Sequence, residues 1–224
     1  MRYAAASSLI TSLLLHALPA GAHYLWIEPS ASGLMLRFGE YQENLRESAA
    51  TRLAEIPAPT AQQERAGSWA DAALERRADG FAFGSTSSGA TAVEAGVAVR
   101  DLTKNGLGIV KPMFYARYAE LTAPQQVTLP LDLVPVADGR VRLTLNGKPL
   151  ANAPLSLYSP RRAVTSSITD AAGEVAVATD EPGVYVLDAI HVEAKPGSFA
   201  GVAYEAVRHR ATLTLRGASA RADR

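Results

Sequence analysis

Cysteine is absent from the 224-residue sequence, so disulfide bonds, thiolate metal ligands and a cysteine nucleophile are excluded. Stability therefore has to come from the burial of side chains. Neither sign of charge dominates, because 22 basic residues balance 22 acidic ones. This balance argues against nucleic acid or an anionic membrane surface as a partner, since both attract strongly basic proteins.

Long apolar runs are also absent. The stretch Leu9–Leu18 falls short of the roughly 20 apolar residues of a membrane span, and no later segment approaches that length. It follows a positive start at Arg2 and precedes Ala20-Gly21-Ala22, a small-x-small cleavage pattern. We predict a signal peptide at residues 1–22 and a periplasmic or secreted mature protein without a membrane span.

Cleavage after Ala22 would make His23 the first residue of the mature protein. A cut after Ala20 is less favourable, because the bulky Leu18 would then lie three positions before the scissile bond. An amino-terminal histidine offers a metal its free α-amino group and its imidazole, and two such nitrogen donors suit copper or nickel. The leader also removes His16, so three of the four histidines remain.

The mature chain has the pattern of β-structure. Alternating residues predict a first strand in HYLWIEP, His23–Pro29. Further short strands are separated by turn sequences, of which Asn146-Gly147 is a strong hairpin indicator. We therefore predict an all-β fold. The exception is Ser68–Arg77, where a serine cap predicts the start of a helix.

A change of composition around residues 124–135 indicates two domains rather than one. The predicted organisation is a mostly β domain at 23–125, a linker at 126–137, an immunoglobulin-like β-sandwich at 138–216 and a disordered tail at 217–224.

Two segments of the C-terminal part carry a family resemblance. NGKPLANAPLSLYSP and SSITDAAGEVAVATDEPGVYVL, within 146–187, are similar to carboxypeptidase-regulatory-like and Cna-B-type immunoglobulin-like domains. Such domains contain a threonine-aspartate-x-x-glycine hairpin followed by a glycine-valine-tyrosine strand. The resemblance implies a sandwich fold and says little about function.

The whole mature chain resembles the NikM-like family of exported proteins. The resemblance rests on the leader ending in alanine, the His-x-x-Trp-x-x-Pro start, the segments FGEYQENLRE and KPMFYARY, and the C-terminal sandwich. Some members are periplasmic components of nickel and cobalt uptake systems. The resemblance implies that His23 binds metal and that a membrane transporter or outer-membrane receptor is a partner. The methionine-histidine-histidine start of nickel-transport members is missing, so copper is at least as plausible as nickel or cobalt.

Two internal histidines are further candidate ligands. His191 lies on the predicted strand YVLDAIHVE, and His209 lies on the apolar face of YEAVRHRATLTL. If these strands pair as a hairpin, both imidazoles lie near one end of the sandwich. With His23 they would supply the four nitrogens that square-planar copper(II) prefers. The alternative is that each is a packed histidine of the core.

A carboxylate near the first strand, from Glu40 or Glu43, could lie beside this metal. Glu40, Glu43 and Glu47 are three and four residues apart, a spacing that places them on one face of a helical turn. They could equally form a solvated surface turn with Arg46 and Arg52. In the metal hypothesis Glu40 is an axial or outer-shell group.

These features together predict an exported protein that binds copper or nickel/cobalt for capture, uptake or homeostasis. No catalytic residues are predicted, because the sequence has no Gly-x-Ser-x-Gly elbow. Two alternatives stay open: a mono-copper oxygenase-like enzyme, whose metal is also bound by an amino-terminal histidine, and a non-catalytic adhesive or scaffolding sandwich. The predicted metal ligands are His23, His191, His209 and Glu40.

Overall fold

The computed structural model describes residues 23–84, 88–121, 124–137 and 139–217. The predicted signal peptide lies outside the described residues, as does the predicted tail apart from Gly217, which ends the last strand. No helix among the described residues is long and apolar enough to cross a membrane.

The described residues form β-strands joined by turns and two short 3-10 helices at Arg52–Glu55 and Thr103–Asn105, which confirms the all-β prediction. The strands, in chain order, are β1 Tyr24–Ser30, β2 Gly33–Glu40, β3 Leu45–Arg46, β4 Thr60–Arg65, β5 Ser68–Ala72, β6 Leu74–Arg77, β7 Gly80–Phe83, β8 Ala90–Glu94, β9 Arg100–Asp101, β10 Ile109–Tyr118, β11 Leu131–Pro135, β12 Arg140–Leu145, β13 Lys148–Pro149, β14 Pro154–Tyr158, β15 Val164–Ile168, β16 Glu174–Ala176, β17 Gly183–Glu193, β18 Gly197–Phe199, β19 Val202–Tyr204 and β20 Ala206–Gly217.

The strands form three layers. The central sheet has nine strands in the order β15-β14-β17-β20-β10-β8-β4-β5, with β9 also paired to β10. A five-stranded outer sheet, β1-β2-β7-β6 with β3 beside β2, covers one face. A four-stranded outer sheet, β11-β12-β13 with β16 beside β12, covers the other. Strands β18 and β19 pair only with each other within the described part of the chain.

Side-chain alternation along the central strands separates the two cores. In β10, Phe114 packs with Leu25 of the five-stranded sheet, whereas the next residue, Tyr115, packs with Leu133 of the four-stranded sheet. Strand β20 is buried on both faces, from Ala206 to Leu215. Polar residues in this strand are therefore buried as well and need partners.

The segment predicted as a linker, residues 126–137, instead contains strand β11, and all five of its residues are buried. Leu131 and Leu133 fill the core, while Asp132 pairs with Arg117 of β10. The central sheet also joins strands of both predicted domains, because β10 pairs in parallel with β20 from Val110–Ala206 to Tyr118–Thr214. The immunoglobulin-like assignment of the C-terminal part stays a prediction.

The helix predicted to start at Ser68–Arg77 is not formed, and these residues belong to β5 and β6. Ala66 and Gly67, with φ angles of 49° and 79°, make the tight turn that folds β5 back onto β4. Two successive residues in the left-handed conformation are typical of a two-residue hairpin loop. Ser68 therefore begins a strand paired with β4 and does not cap a helix.

Candidate functional site

His23 lies just before β1, and its imidazole is held between two carboxylates. Nδ1 is 2.9 Å from Oε1 of Glu40, and Nε2 contacts Oε1 of Glu47. All three side chains are at most 15% exposed. The ring centroid of Phe38 is 5.3 Å from that of the imidazole, so an apolar surface borders the site.

Strand pairing brings these groups together. Tyr24 of β1 pairs with Gly39 of β2, and continuing that register places His23 opposite Glu40. The chain then turns into β3, and the Glu47 backbone N–H returns to the carbonyl of Phe38 at 2.8 Å. The predicted helical turn through the three carboxylates is therefore a β2–β3 hairpin.

The hairpin separates the three carboxylates. Glu40 and Glu47 face His23, whereas Glu43 is exposed in the turn. Glu40, predicted to lie beside the metal, contacts His23, and its role as a metal ligand stays a prediction. Glu47 was grouped with the others by its spacing, but the sequence did not indicate that it would reach the second ring nitrogen.

Hydrogen bonds hold Glu47 in its charged form. Burial alone would raise the pKa of this carboxyl, but hydrogen bonds from Thr51, from His23 and from the backbone N–H of Arg52 outweigh it and lower the pKa. Nη1 of Arg52 also lies 3.2 Å from Nε2 of His23. The imidazole is thus surrounded by fixed charges of both signs.

Backbone contacts to the central sheet anchor the start of β1. Thr212 of β20 donates a hydrogen bond from Oγ1 to the carbonyl of Leu25 at 2.7 Å, and Arg210 donates from Nη1 to the carbonyl of His23 at 3.4 Å. The guanidinium of Arg210 also lies 4.3 Å from the ring centroid of Tyr24. These contacts fix the first residue after the predicted cleavage point.

The two internal histidines lie together, as the hairpin hypothesis requires. Strands β17 and β20 are antiparallel neighbours, His191 is paired directly with His209, and the two ring centroids are 6.4 Å apart. Nδ1 of His209 is 2.9 Å from the hydroxyl of Tyr115, and Nε2 is 3.4 Å from Oε2 of Glu193. Burial lowers the pKa of His209, although the Glu193 carboxylate opposes this effect.

His23 and His209 occupy opposite faces of the central sheet. Arg210 and Thr212 contact the backbone of β1 on one face, and alternation directs His209, the neighbour of Arg210, to the other. Tyr115, which His209 contacts, packs in the core under the four-stranded sheet. The predicted four-nitrogen set from His23, His191 and His209 is therefore not assembled.

Within the described ranges, no group of three or more His, Cys, Asp or Glu side chains is arranged to hold a metal ion. The two carboxylates beside His23 contact different ring nitrogens. A metal bound to one of these nitrogens would therefore lie next to only one carboxylate. The backbone nitrogen of His23 is the remaining donor. It is an amide while residue 22 precedes it and would become an amine after cleavage.

A cleft of about 160 Å³ opens beside His23. Its apolar walls include Phe38 and Phe114, which belong to the five-stranded and central sheets, respectively. Three arginines also line it, Arg52, Arg100 and Arg208, together with the acidic residue Glu55. The sequence pattern directed Arg208 away from the apolar face of its strand, but it could not reveal that β1 and β2 cover that other face as well.

Comparison of the chain with known protein families, with curated proteins and with solved structures found no match. The resemblance to the NikM-like family therefore stays a prediction that rests on the motifs quoted above.

Proposed function

We propose that the protein is an exported transition-metal-binding protein that captures copper, nickel or cobalt at His23 after removal of the leader. The observation that carries this proposal is that each nitrogen of the imidazole has its own carboxylate. One carboxylate, from Glu40, lies at Nδ1, and another, from Glu47, lies at Nε2. The metal is the cargo of the protein in this proposal.

An amino-terminal histidine can chelate through its α-amine and Nδ1, because these two nitrogens close a small ring through Cα, Cβ and Cγ. The carboxylate of Glu40, 2.9 Å from Nδ1, is then in position to supply a third donor. Nε2 would carry the proton and donate a hydrogen bond to the carboxylate of Glu47. A carboxylate partner on the other ring nitrogen orients a metal-binding imidazole and raises its basicity.

The donor set favours borderline divalent ions. Amine and imidazole nitrogens with a carboxylate oxygen suit Cu²⁺, Ni²⁺ and Co²⁺, and the usual order of affinities puts Cu²⁺ first. The oxygenase alternative has less support, because its second histidine would have to come from the pair His191 and His209. Of these two, His209 contacts Tyr115, which lies in the core on the opposite side of the central sheet from β1, and His191 is paired directly with His209.

Blocking the amine tests the proposal. Mature protein that starts at His23 is compared with the same chain carrying one extra glycine before His23, and Cu²⁺ and Ni²⁺ affinities are measured by competition with a chromogenic chelator. The extension converts the amine to an amide, so affinity should fall by more than the roughly 10- to 100-fold typical of an outer-shell change. Equal affinity of the two proteins would rule out the terminus as a ligand.

Two matched glutamate variants distinguish a direct effect of the Glu40 carboxylate on metal affinity from an effect of net charge. Glu40→Gln removes the carboxylate at Nδ1 and should weaken Cu²⁺ binding about 10- to 100-fold. Glu43→Gln removes the same charge from the exposed turn and should leave affinity unchanged. The proposed role of Glu40 fails if both variants bind Cu²⁺ as tightly as the parent.

A further inference from the structure

Arg208 is a buried arginine that forms no ion pair with any residue the structure describes. It is 6% exposed, and its Nε has no hydrogen-bond partner there. The carboxylate of Asp188 attracts Arg208, but its hydrogen bonds, of 2.9 Å and 2.8 Å, go to Arg210. Buried charges in proteins are normally paired, so this exception needs an explanation.

The electrostatic surroundings make the lack of a partner costly. Burial, together with repulsion from Arg210, lowers the pKa of Arg208 to about 10, although attraction to Asp188 opposes this shift. The group is still charged at neutral pH. A ligand that brings a negative charge to Arg208 would relieve this cost, whereas a neutral ligand would not.

The cleft beside His23 gives such a ligand access to Arg208. Arg52 and Arg100 line the same cleft, and both bind Glu55, through contacts of 2.7 Å each. Glu55 is the one carboxylate of the lining, which also contains three arginines. Glu47 and Glu40, beside His23, attract Arg52 as well. Arg208 is the arginine of this lining that forms no ion pair with a described residue.

Apolar side chains make up much of the remaining wall. Phe38 and Phe114 meet edge to face with ring centroids 6.1 Å apart, and Val97, Leu102 and Pro112 complete the lining. A hydrated inorganic anion has no apolar part that could be buried against this surface. The complementary ligand has a negative group at one end and an apolar body.

We propose that this cleft binds a small organic carboxylate as a monoanion, with its carboxylate on Arg208 and its apolar body against Phe38 and Phe114. A guanidinium matches a carboxylate through two parallel hydrogen bonds. A single charge is favoured because Glu55 lines the cleft and Glu47 lies close behind His23. This site is additional to the proposed metal function and does not depend on it.

Calorimetric titration of the full chain with butanoate, in EDTA to keep metal absent, tests the proposal. Butanoate should bind saturably, whereas 1-butanol, which has the same apolar body without the charge, should not. Because metal is excluded throughout, a negative result here leaves the metal proposal standing, and failure of metal binding leaves this result standing. No saturable butanoate binding, or binding of phosphate alone, would overturn the proposal.

Arg208→Met identifies the anchor. The variant should bind butanoate at least about tenfold more weakly, as expected for loss of a charge-assisted hydrogen bond. The ligand-free variant should also melt at a higher temperature, because an uncompensated buried charge is replaced by an apolar side chain of similar length. Arg142→Met, which changes a partly exposed arginine of the four-stranded sheet, should leave butanoate binding intact.

Unchanged butanoate affinity in Arg208→Met would contradict the assignment. If that variant does not fold, Arg100→Gln decides the question, because it removes a charge from the cleft at a residue that is 43% exposed. It should weaken butanoate binding severalfold, and an unchanged affinity would count against the site.

Discussion

His23 and His209 each contact a carboxylate, yet their surroundings differ. His23 has a carboxylate at each ring nitrogen, and the closer contacts of its ring are charged. His209 instead receives a tyrosine hydroxyl at Nδ1 and only a long contact to Glu193. Burial dominates its electrostatics and lowers its pKa. The first arrangement suits binding, and the second suits a neutral imidazole packed in a core.

His209 should make stability depend on pH. Its pKa in the folded protein lies below the ordinary value of about 6.5, so the unfolded chain takes up a proton more readily. Its contribution is therefore fully present above about pH 6.5 and is lost as the pH falls through the folded pKa. We expect the free energy of unfolding, measured by urea titration, to decrease over this acidic range, and His209→Gln to remove that part of the decrease.

His191→Gln is the matched control, because His191 is paired directly opposite His209 and contacts its ring. This variant should keep most of the decrease below pH 6.5, because burial is the main cause of the lowered pKa of His209 and His191 is a smaller one. His209→Gln should also cost about 1–3 kcal/mol at neutral pH if the buried hydroxyl of Tyr115 loses its partner. A pH profile of His209→Gln identical to that of the parent would contradict the assignment.

At the scale of elements, a buried ion pair attaches β11 to β10. Arg117 donates to both carboxylate oxygens of Asp132, at 2.8 Å and 2.6 Å, and both side chains are fully buried. Asp132 also accepts from the backbone N–H groups of Thr128 and Leu129. The segment before β11 is thus shaped around this carboxylate, which explains why it is a strand of the core and not a linker.

Asp132→Ala should destabilise the protein strongly. The change leaves the Arg117 guanidinium buried without its charge partner, and breaking such a pair costs about 3–5 kcal/mol. Arg161→Ala is the control: its pair with Glu181 is 3.0 Å long, but Arg161 is 81% exposed, and such pairs contribute about 0–1 kcal/mol. Urea unfolding measures both, and equal losses of stability would contradict the role given to Asp132.

At the scale of the whole molecule, the central sheet joins the N-terminal and C-terminal parts of the chain. Strand β20 has β17 on one side and β10 on the other, and the core under the four-stranded sheet includes Tyr115 and Ala119 as well as residues of the C-terminal part. If the two predicted domains were separated, β20 would lose its pairing with β10, and the core shared by both parts of the chain would be exposed.

The fragment 138–216 should therefore not unfold cooperatively on its own, whereas the chain 23–217 should. The fragment lacks β10, the parallel partner of β20, and β11, whose Leu131 and Leu133 lie in the core. Thermal unfolding followed by near-ultraviolet circular dichroism distinguishes the two. A cooperative transition of the fragment would show that the C-terminal part is an independent domain, as the sequence pattern predicted.

Local sequence was sufficient for the features that depend on neighbours along the chain. Alternation of apolar and polar residues determined the β class, and turn sequences such as Asn146-Gly147, where both residues have positive φ, determined where hairpins close. Alternation also predicted the strands that carry His191 and His209, but their pairing, with β18 and β19 between them in the chain, comes from the structure. Spacing grouped Glu40, Glu43 and Glu47 on a helical turn that does not form, and it favoured Glu40 or Glu43 where the structure has Glu40 and Glu47 at His23.

Tertiary structure decided which face each residue meets. Alternation shows that Arg208 and His209 point in opposite directions, but only the three-layer packing shows that both directions are buried. The same packing separates His23 from His209 by a sheet and brings the cleft to the side of His23. The physical reason is that the pairing of β10 with β20 and the stacking of β1 on β20 are contacts between distant parts of the chain, which no local pattern encodes.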